Sequence, residues 1–380
     1  MLLIRDIEIY SPKYIGKKDV LIANDKITLM EEKIEKFNKK VKVIDGKGKI
    51  LVPGLIDNHV HITGGGGEGS FKTRVPEITL SKLIEGGITT VVGLLGTDST
   101  TRNIENLVAK AKGLKEEGIS VFVHTGGYSY PSTTLTDSVK KDIVFIEEII
   151  GAKIALSDHR SSSLSDYELA RLASDTRVAG MISGKAGIVI AHMGMGKENL
   201  GLINKVLEKT EIPIRTIIPT HVNRKKELLM ESFDYAKRGG IIDLTCGIYE
   251  DLSPKNVIKL AKEENVPLEN ILISSDGYGS FSNYDEYGNL LEIGVSSVSN
   301  LLNELNKMII EEEFEIEEAL KFFTLNVSKA LHLYPEKGII KANSDADLLI
   351  LNKDMSLDSV ISKGKLMMHE NELLVKGTYE

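Results

Sequence analysis

Four of the eight histidines sit at the ends of short apolar runs. His59 and His61 close GLIDNHVHI (54–62), His192 lies near the end of GIVIAHM (187–193), and His221 closes IRTIIPTH (214–221). Two further runs carry polar chemistry: Lys153 lies in AKIALS (152–157), and Asp276 lies in NILISSDG (270–277). Residues i and i+2 of a strand point to the same face, so His59 and His61 can reach one ion. The donors are imidazole and carboxylate without thiolate, which suits Zn2+, Mn2+, Co2+ or Ni2+. Taken singly, each has an ordinary explanation. A histidine after an apolar run can be a hydrogen-bonded core residue, an Asp-Gly pair can be a turn, and Lys153 can extend its ammonium from a rim. Their shared position at strand ends argues for a metal centre instead. A buried Lys153 ammonium beside cations is disfavoured. A neutral lysine amine reacts with carbon dioxide to give a carbamate, whose two oxygens suit bridging two metals about 3.5–4 Å apart. Cys246, the one cysteine, is read as packing.

These runs belong to a regular pattern. TTVVGLLG (89–96), SVFVHTGG (120–127) and IIDLTCG (241–247) complete a set of eight short apolar strands. Such runs are expected where a parallel sheet is covered on both faces. Helical segments separate them, among them TRNIENLVAKAKGLKEEG (101–118), DSVKKDIVFIEEII (137–150), SDYELARLASDTRVAGMIS (165–183) and KKELLMESFDYAKRGG (225–240). Eight β–α units over this length fit a (β/α)8 barrel, whose chemistry sits at the C-terminal strand ends. A doubly wound sheet would share much of the pattern. Strand-like segments also fill both chain ends: LLIRDIEIYS (2–11), KDVLIANDKITLM (18–30) and KVKVIDGKGKILVPG (40–54), then DADLLILNKDM (345–355) and LDSVISKGKLMMHENELLVKG (357–377). The two ends are expected to pack into one small β unit.

Composition narrows the function classes. Of 380 residues, 47 are Lys or Arg and 55 are Asp or Glu, a formal charge of −8. That balance argues against a nucleic acid or an anionic membrane as main partner. No apolar run approaches the roughly 18 residues of a membrane helix. Arg5 and Asp6 interrupt the apolar N-terminus, so it does not read as a signal peptide. With a single cysteine, the expected setting is the cytoplasm. The glycine run 64–67 has no GK[ST] after it and is not a Walker loop. Its glycines are expected to let the backbone approach substrate. GMGK (194–197) is read as a loop entering a helix. His124 and His159 are expected near the site, as packing or supporting residues.

In this order the residues resemble the amidohydrolase superfamily. Its binuclear members carry HxH on strand one, a carboxylated lysine on strand four, single histidines on strands five and six, and aspartate on strand eight. PGLID (53–57), GIIKANSDADLLILN (338–352) and the joined chain ends extend the resemblance over essentially the whole chain. Within the superfamily the chain is most similar to the members that hydrolyse isoaspartyl (β-aspartyl) dipeptides. The motifs are HVHITGGGGEG (59–69), GTDSTTR (96–102), GGYSYPS (126–132), KIALSDHRSS (153–162), AHMG (191–194), THVNR (220–224) and SSDGYGS (274–280). The resemblance implies His59, His61 and Asp276 on one metal, His192 and His221 on the other, and carboxylated Lys153 bridging. It further implies Glu68 on the substrate amino group and Tyr128 on the scissile carbonyl. Arg160 and Arg224 would engage carboxylates, with Gly66, Thr97 and Ser280 as supporting contacts.

The expected fold is therefore α/β. A (β/α)8 TIM-like barrel would span 54–338, and a small β-sandwich would form from 1–53 plus 339–380. The expected activity is hydrolysis of isoaspartyl dipeptides by a metal-bridging hydroxide, with Asp276 and Tyr128 as catalytic groups. The cofactors would be two divalent ions, zinc foremost, and a carbon dioxide-derived carbamate on Lys153. The expected partner is the small dipeptide, with no nucleic acid and no membrane, on a homo-oligomer. Two rivals are an amidohydrolase of cyclic amides or N-acyl amino acids, and a non-catalytic scaffold on the same fold.

Overall fold

A computed structural model of the chain describes residues 1–35 and 41–380. Lys40, the first residue of one expected strand segment, lies outside the described residues. The eight central strands all form: β1 (Leu55–Val60), β2 (Ile88–Gly93), β3 (Ser120–Gly126), β4 (Ile149–Leu156), β5 (Ile188–Met193), β6 (Ile217–Thr220), β7 (Ile242–Thr245) and β8 (Ile271–Ser274). They lie side by side in chain order in one parallel sheet. Its edges meet where Val60 bridges Gly277 and the His61 N–H donates to the Gly277 carbonyl at 2.9 Å. The sheet thus closes into a (β/α)8 barrel.

Helices α1 (Leu80–Glu85), α2 (Ile104–Glu117), α3 (Val139–Phe145), α4 (Asp166–Ser183), α5 (Gly201–Lys209), α6 (Lys226–Lys237), α7 (Pro254–Glu263) and α8 (Asn300–Ile310) follow the strands in turn. Local signals set their ends. Ser165 and Glu168 form a capping box at the start of α4, and Pro254 occupies the first turn of α7. α3 is shorter than its sequence suggests. It stops at Phe145, and the β-branched Ile149 and Ile150 enter β4 instead. Lys185 takes up the carbonyls left at this exit, donating to Ile143, Ile146 and Ile149 at 2.6, 2.5 and 3.0 Å.

Two further helices, α9 (Ile316–Phe323) and α10 (Leu325–Ala330), were not anticipated from the sequence. Val327 and Ala330 of α10, with Leu331 after it, join Ile56, Val92, Ile190, Ile218 and Leu272 in one buried cluster. This apolar plug fills the barrel below the strand ends, at about 1.5–3 kcal/mol per buried aliphatic side chain.

The chain ends share a nine-stranded sheet. Strand Ile50–Pro53 pairs antiparallel with Leu348–Leu351, Leu51 opposite Ile350 and Val52 opposite Leu349. A second unanticipated feature is the hairpin of Ser280–Tyr284 and Leu290–Val295, which follows β8. Among the described residues, no helix is long and apolar enough to cross a membrane.

Candidate active site

The residues expected to bind metal converge at the C-terminal end of the barrel. His59, His221 and Asp276 bring ligand atoms within 4.8 Å of one another. Asp276 Oδ1 lies 3.3 Å from His61 Nε2 and 3.6 Å from His59 Nε2. Lys153 Nζ is 3.1 Å from His59 Nε2. The His221 ring packs edge-on against His59 and His192, with centroids 4.7 Å apart in both pairs. His192 is turned differently. Its Nδ1 lies 2.8 Å from the Tyr128 hydroxyl, and its Nε2 lies 3.2 Å from Asp158 Oδ2.

Backbone geometry aims two of these groups. His221 and Asp276 directly or closely follow their strands, with φ of 62° and 52°. Non-glycine residues adopt this left-handed conformation at a cost, which is typical of strained functional positions. His221 Nδ1 shares a 2.7 Å hydrogen bond with Thr245 Oγ1. Below the cluster, Asp243 Oδ2 accepts from Thr220 and Ser274 at 2.6 and 2.7 Å, stitching β6, β7 and β8 together. Asp57 accepts the Ser275 hydroxyl and backbone N–H across the barrel closure. Burial pushes the Asp57 carboxyl up to about 7 and that of Asp243 up to about 6.

The electrostatics favour neutral nitrogen donors. Burial, reinforced by the Lys153 charge, pushes His59 and His61 below the usual histidine range. Burial and the Arg224 guanidinium do the same for His192 and His221. Burial lowers the Lys153 ammonium to about 7, against the pull of Asp276. Burial raises the Tyr128 phenol, so it stays protonated and able to donate.

The substrate-contact candidates form a second group above this cluster. Glu68 Oε1 accepts from Ser280 Oγ at 2.8 Å and Thr97 Oγ1 at 3.1 Å, and lies 3.4 Å from Arg160 Nη1. Its other oxygen is buried without a partner. Arg160 Cζ stands 5.2 Å over the Tyr128 ring, and Arg224 Nη1 is 3.4 Å from His192 Nε2. The glycine run does a structural job that the sequence reading did not foresee. A Cβ at Gly64 would lie 2.0 Å from the Val75 carbonyl oxygen, and one at Gly66 would lie 2.2 Å from that of Thr73. Gly66 itself bridges Arg74. The run therefore packs tightly on the 73–76 backbone and sets where Glu68 emerges. His124 is buried near Lys153 with both ring nitrogens unpartnered, while His159 stacks at the mouth on Tyr284 of the hairpin, 4.7 Å between centroids.

Several supporting residues went unnoticed in the sequence: Thr245, Asp243, Asp57, Asp142 and Asp158. Inward alternation of Ile241, Asp243 and Thr245 was an available signal for two of them. Asp158 lies only two residues before Arg160.

The donor set fits a divalent metal. His221 Nε2 is buried without a partner, His59 Nε2 and His61 Nε2 face the Asp276 carboxylate, and burial keeps all three imidazoles neutral. An imidazole–carboxylate site of this kind suits Zn2+ and its neighbours.

The sequence profile of the amidohydrolase family matches residues 50–367. A β-aspartyl dipeptidase of Fervidobacterium islandicum AW-1, solved with a β-Asp-Leu dipeptide, is 43% identical, with a TM-score of 0.92 and 98% of each chain covered. A second structure of a β-aspartyl dipeptidase from that strain gives 42% identity, a TM-score of 0.90 and the same coverage. A dihydroorotase of Elusimicrobium minutum is 31% identical over 57% of this chain, and the match spans 47% of that relative's length.

Proposed function

This chain belongs to the amidohydrolase family, and from that membership we propose that it is a metal-dependent dipeptidase hydrolysing β-aspartyl (isoaspartyl) dipeptides. The carrying observation is Glu68, a buried carboxylate with one unpartnered oxygen beside Arg160 and above the histidine–aspartate cluster. A β-aspartyl dipeptide has one ammonium and two carboxylates around its scissile side-chain amide. One carboxylate and two arginines at the barrel mouth match that charge pattern. The 43% identity to a β-aspartyl dipeptidase over 98% of both chains supports the same reading.

In this proposal His59, His61 and Asp276 would hold one divalent ion, His192 and His221 would hold the other, and a carbamate on Lys153 would supply oxygen donors to both. Zinc is the first candidate. Bound there, the ions would supply Lewis acidity to the amide carbonyl and lower the pKa of the attacking water. Glu68, fixed by Ser280 and Thr97, takes the substrate ammonium. Arg160 and Arg224 orient the two carboxylates, and Gly66 supports the Glu68 loop. Tyr128, kept protonated, donates its hydroxyl hydrogen to the carbonyl oxygen as negative charge develops there. Asp276 takes a proton from the attacking water and passes it to the leaving amine.

The proposal includes a cytoplasmic setting, consistent with a single cysteine. It also includes a homo-oligomer, consistent with Phe145, Met181 and Ile182 exposed at the C-terminal ends of α3 and α4. The test is hydrolysis of β-Asp-Leu and α-Asp-Leu by protein loaded with Zn2+, Mn2+ or Co2+. Cleavage of the β-linked dipeptide alone is expected. Failure to cleave it with any of these metals, or turnover only of cyclic amides, would replace this reading.

A further inference from the structure

Asp158 has no part in the assignments above, yet it touches both halves of the site. It lies in the loop after β4, and its side chain is 3% exposed. Oδ1 accepts the Arg160 backbone N–H at 2.8 Å and Nε–H at 2.9 Å. Oδ2 accepts Arg160 Nη2–H at 2.8 Å and lies 3.2 Å from His192 Nε2. We propose that Asp158 is a positioning residue that couples the two halves, fixing the His192 ring for metal binding while holding the Arg160 fork for substrate. The inference deepens the proposed function and rests on it.

The hydrogen bonds define the His192 tautomer. The Asp158 carboxylate can only accept, so the Nε2 that faces it at 3.2 Å carries the ring proton. Nδ1 then keeps the lone pair, which here accepts from the Tyr128 hydroxyl at 2.8 Å and would pass to a bound metal, freeing that hydroxyl for substrate. Around Nε2 stand the Tyr128 hydroxyl at 3.1 Å, Asp158 Oδ2 at 3.2 Å and the Arg224 guanidinium at 3.4 Å, which has only donors to offer; Asp158 is the one carboxylate among them. Asp158 is therefore the partner that takes the Nε2–H. A carboxylate behind a ligating histidine sets its orientation and raises its basicity. On the other side, the two-point contact occupies Nε and Nη2 of Arg160. Nη1 is left directed at Glu68 and Thr97, at 3.4 and 3.5 Å.

The backbone is shaped for this contact. A Cβ at Gly194 would lie 2.4 Å from Asp158 Cβ and 2.6 Å from Oδ2, and one at Gly196 would lie 2.5 Å from the Ser157 carbonyl oxygen. The Gly-Met-Gly segment after β5 thus lets the loop behind His192 close onto the loop that carries Asp158. Gly194→Ala should displace the carboxylate without removing its charge, which provides a second variant.

The experiment titrates metal-stripped full-length protein with zinc against a chelating indicator, for the parent, Asp158→Asn and Gly194→Ala. Steady-state kinetics with β-Asp-Leu follow on the zinc-saturated proteins. One zinc site should weaken about 10–100-fold in both variants, the usual cost of losing such a partner, while the other keeps its affinity. KM for β-Asp-Leu should rise about tenfold or more, because Arg160 loses a charged hydrogen-bond partner. If Asp158→Asn does not fold, Gly194→Ala carries the same measurements. Unchanged zinc isotherms with unchanged KM, or a fall in kcat alone, would overturn the inference and leave Asp158 a packing residue. A parent that binds two zinc ions without cleaving β-Asp-Leu would sink the proposed function, leaving the Asp158 contact to be judged on the isotherms. A parent that binds no zinc would overturn both.

Discussion

Tyr128 and Lys153 are both buried polar groups in the site, and each can be tested alone. The Tyr128 hydroxyl sits in a water-poor pocket beside His192, with Arg160 over its ring. Its hydrogen bond to the carbonyl oxygen strengthens only as charge develops, so Tyr128→Phe should lower kcat about 10²–10³-fold with little change in KM. Steady-state kinetics decide it; an unchanged kcat would make Tyr128 a packing residue. Lys153 is tested through stability. Its folded pKa is about 7 against 10.5 for a free lysine. Between those values the unfolded chain holds a proton that the folded chain has released, so this residue makes stability rise with pH, by up to about 1.4 kcal/mol per unit. Its destabilisation is full below pH 7 and gone above 10.5. Lys153→Met should therefore unfold at higher urea than the parent at pH 7, with the gap closing by pH 10. The comparison uses chelated protein in carbon dioxide-free buffer. Parallel pH curves for the two proteins would contradict the buried-amine account.

At the level of elements, the loop between β3 and α3 carries Tyr128 and is tied back by one carboxylate. Asp142 on α3 accepts from Thr125 Oγ1 at 2.6 Å, Leu135 N at 3.0 Å, and Thr136 N and Oγ1 at 2.9 and 2.6 Å. Asp142→Ala would strand these donors at a cost of about 2–4 kcal/mol. It should also lower kcat, because Tyr128 opens the same loop. Denaturant unfolding and kinetics on one preparation check both; a destabilised variant with parental kcat would separate the loop anchor from the Tyr128 position. The sequence marked this region as strand, loop and helix. It could not show that α3 ends early, because Lys185, which donates to the freed carbonyls, follows α4 in the chain.

The whole molecule depends on joining its two ends to the barrel. Lys337 is buried between Asp345 and Asp347, and its ammonium also donates to Ser120 Oγ at the start of β3, 2.8 Å away. One lysine thus links the C-terminal segment to the barrel's N-terminal face. Lys337→Ala leaves the buried Asp347 carboxylate without its cation, while Asp345 keeps Lys26. The expected loss is about 3–5 kcal/mol, read as a shift in urea midpoint. A loss below about 1 kcal/mol would mean that water screens the group as it does a surface pair.

The resemblance, rather than the pattern, chose the barrel over a doubly wound sheet and joined the chain ends; the sequence alone determined the eight strand–helix units, the strand-like chain ends and the identity of the candidate ligands. Those properties rest on short-range pattern: apolar runs of strand length, helical spacing between them, and donor residues at strand ends. His59 and His61 could be paired on paper because i and i+2 share a strand face. Their meeting with Asp276, more than two hundred residues away, follows only from the register that brings Val60 against Gly277. The same limit hid α10 as the barrel plug, the hairpin after β8, and the contact of Asp158 with His192. Each depends on which elements become neighbours once the sheet closes, and on glycines such as Gly64 and Gly194 whose missing side chains matter only at that distance. Local residue type chooses the element and supplies the chemistry. Closure of the barrel decides which groups face one another, because that choice is made by long-range packing rather than by any segment's own preference.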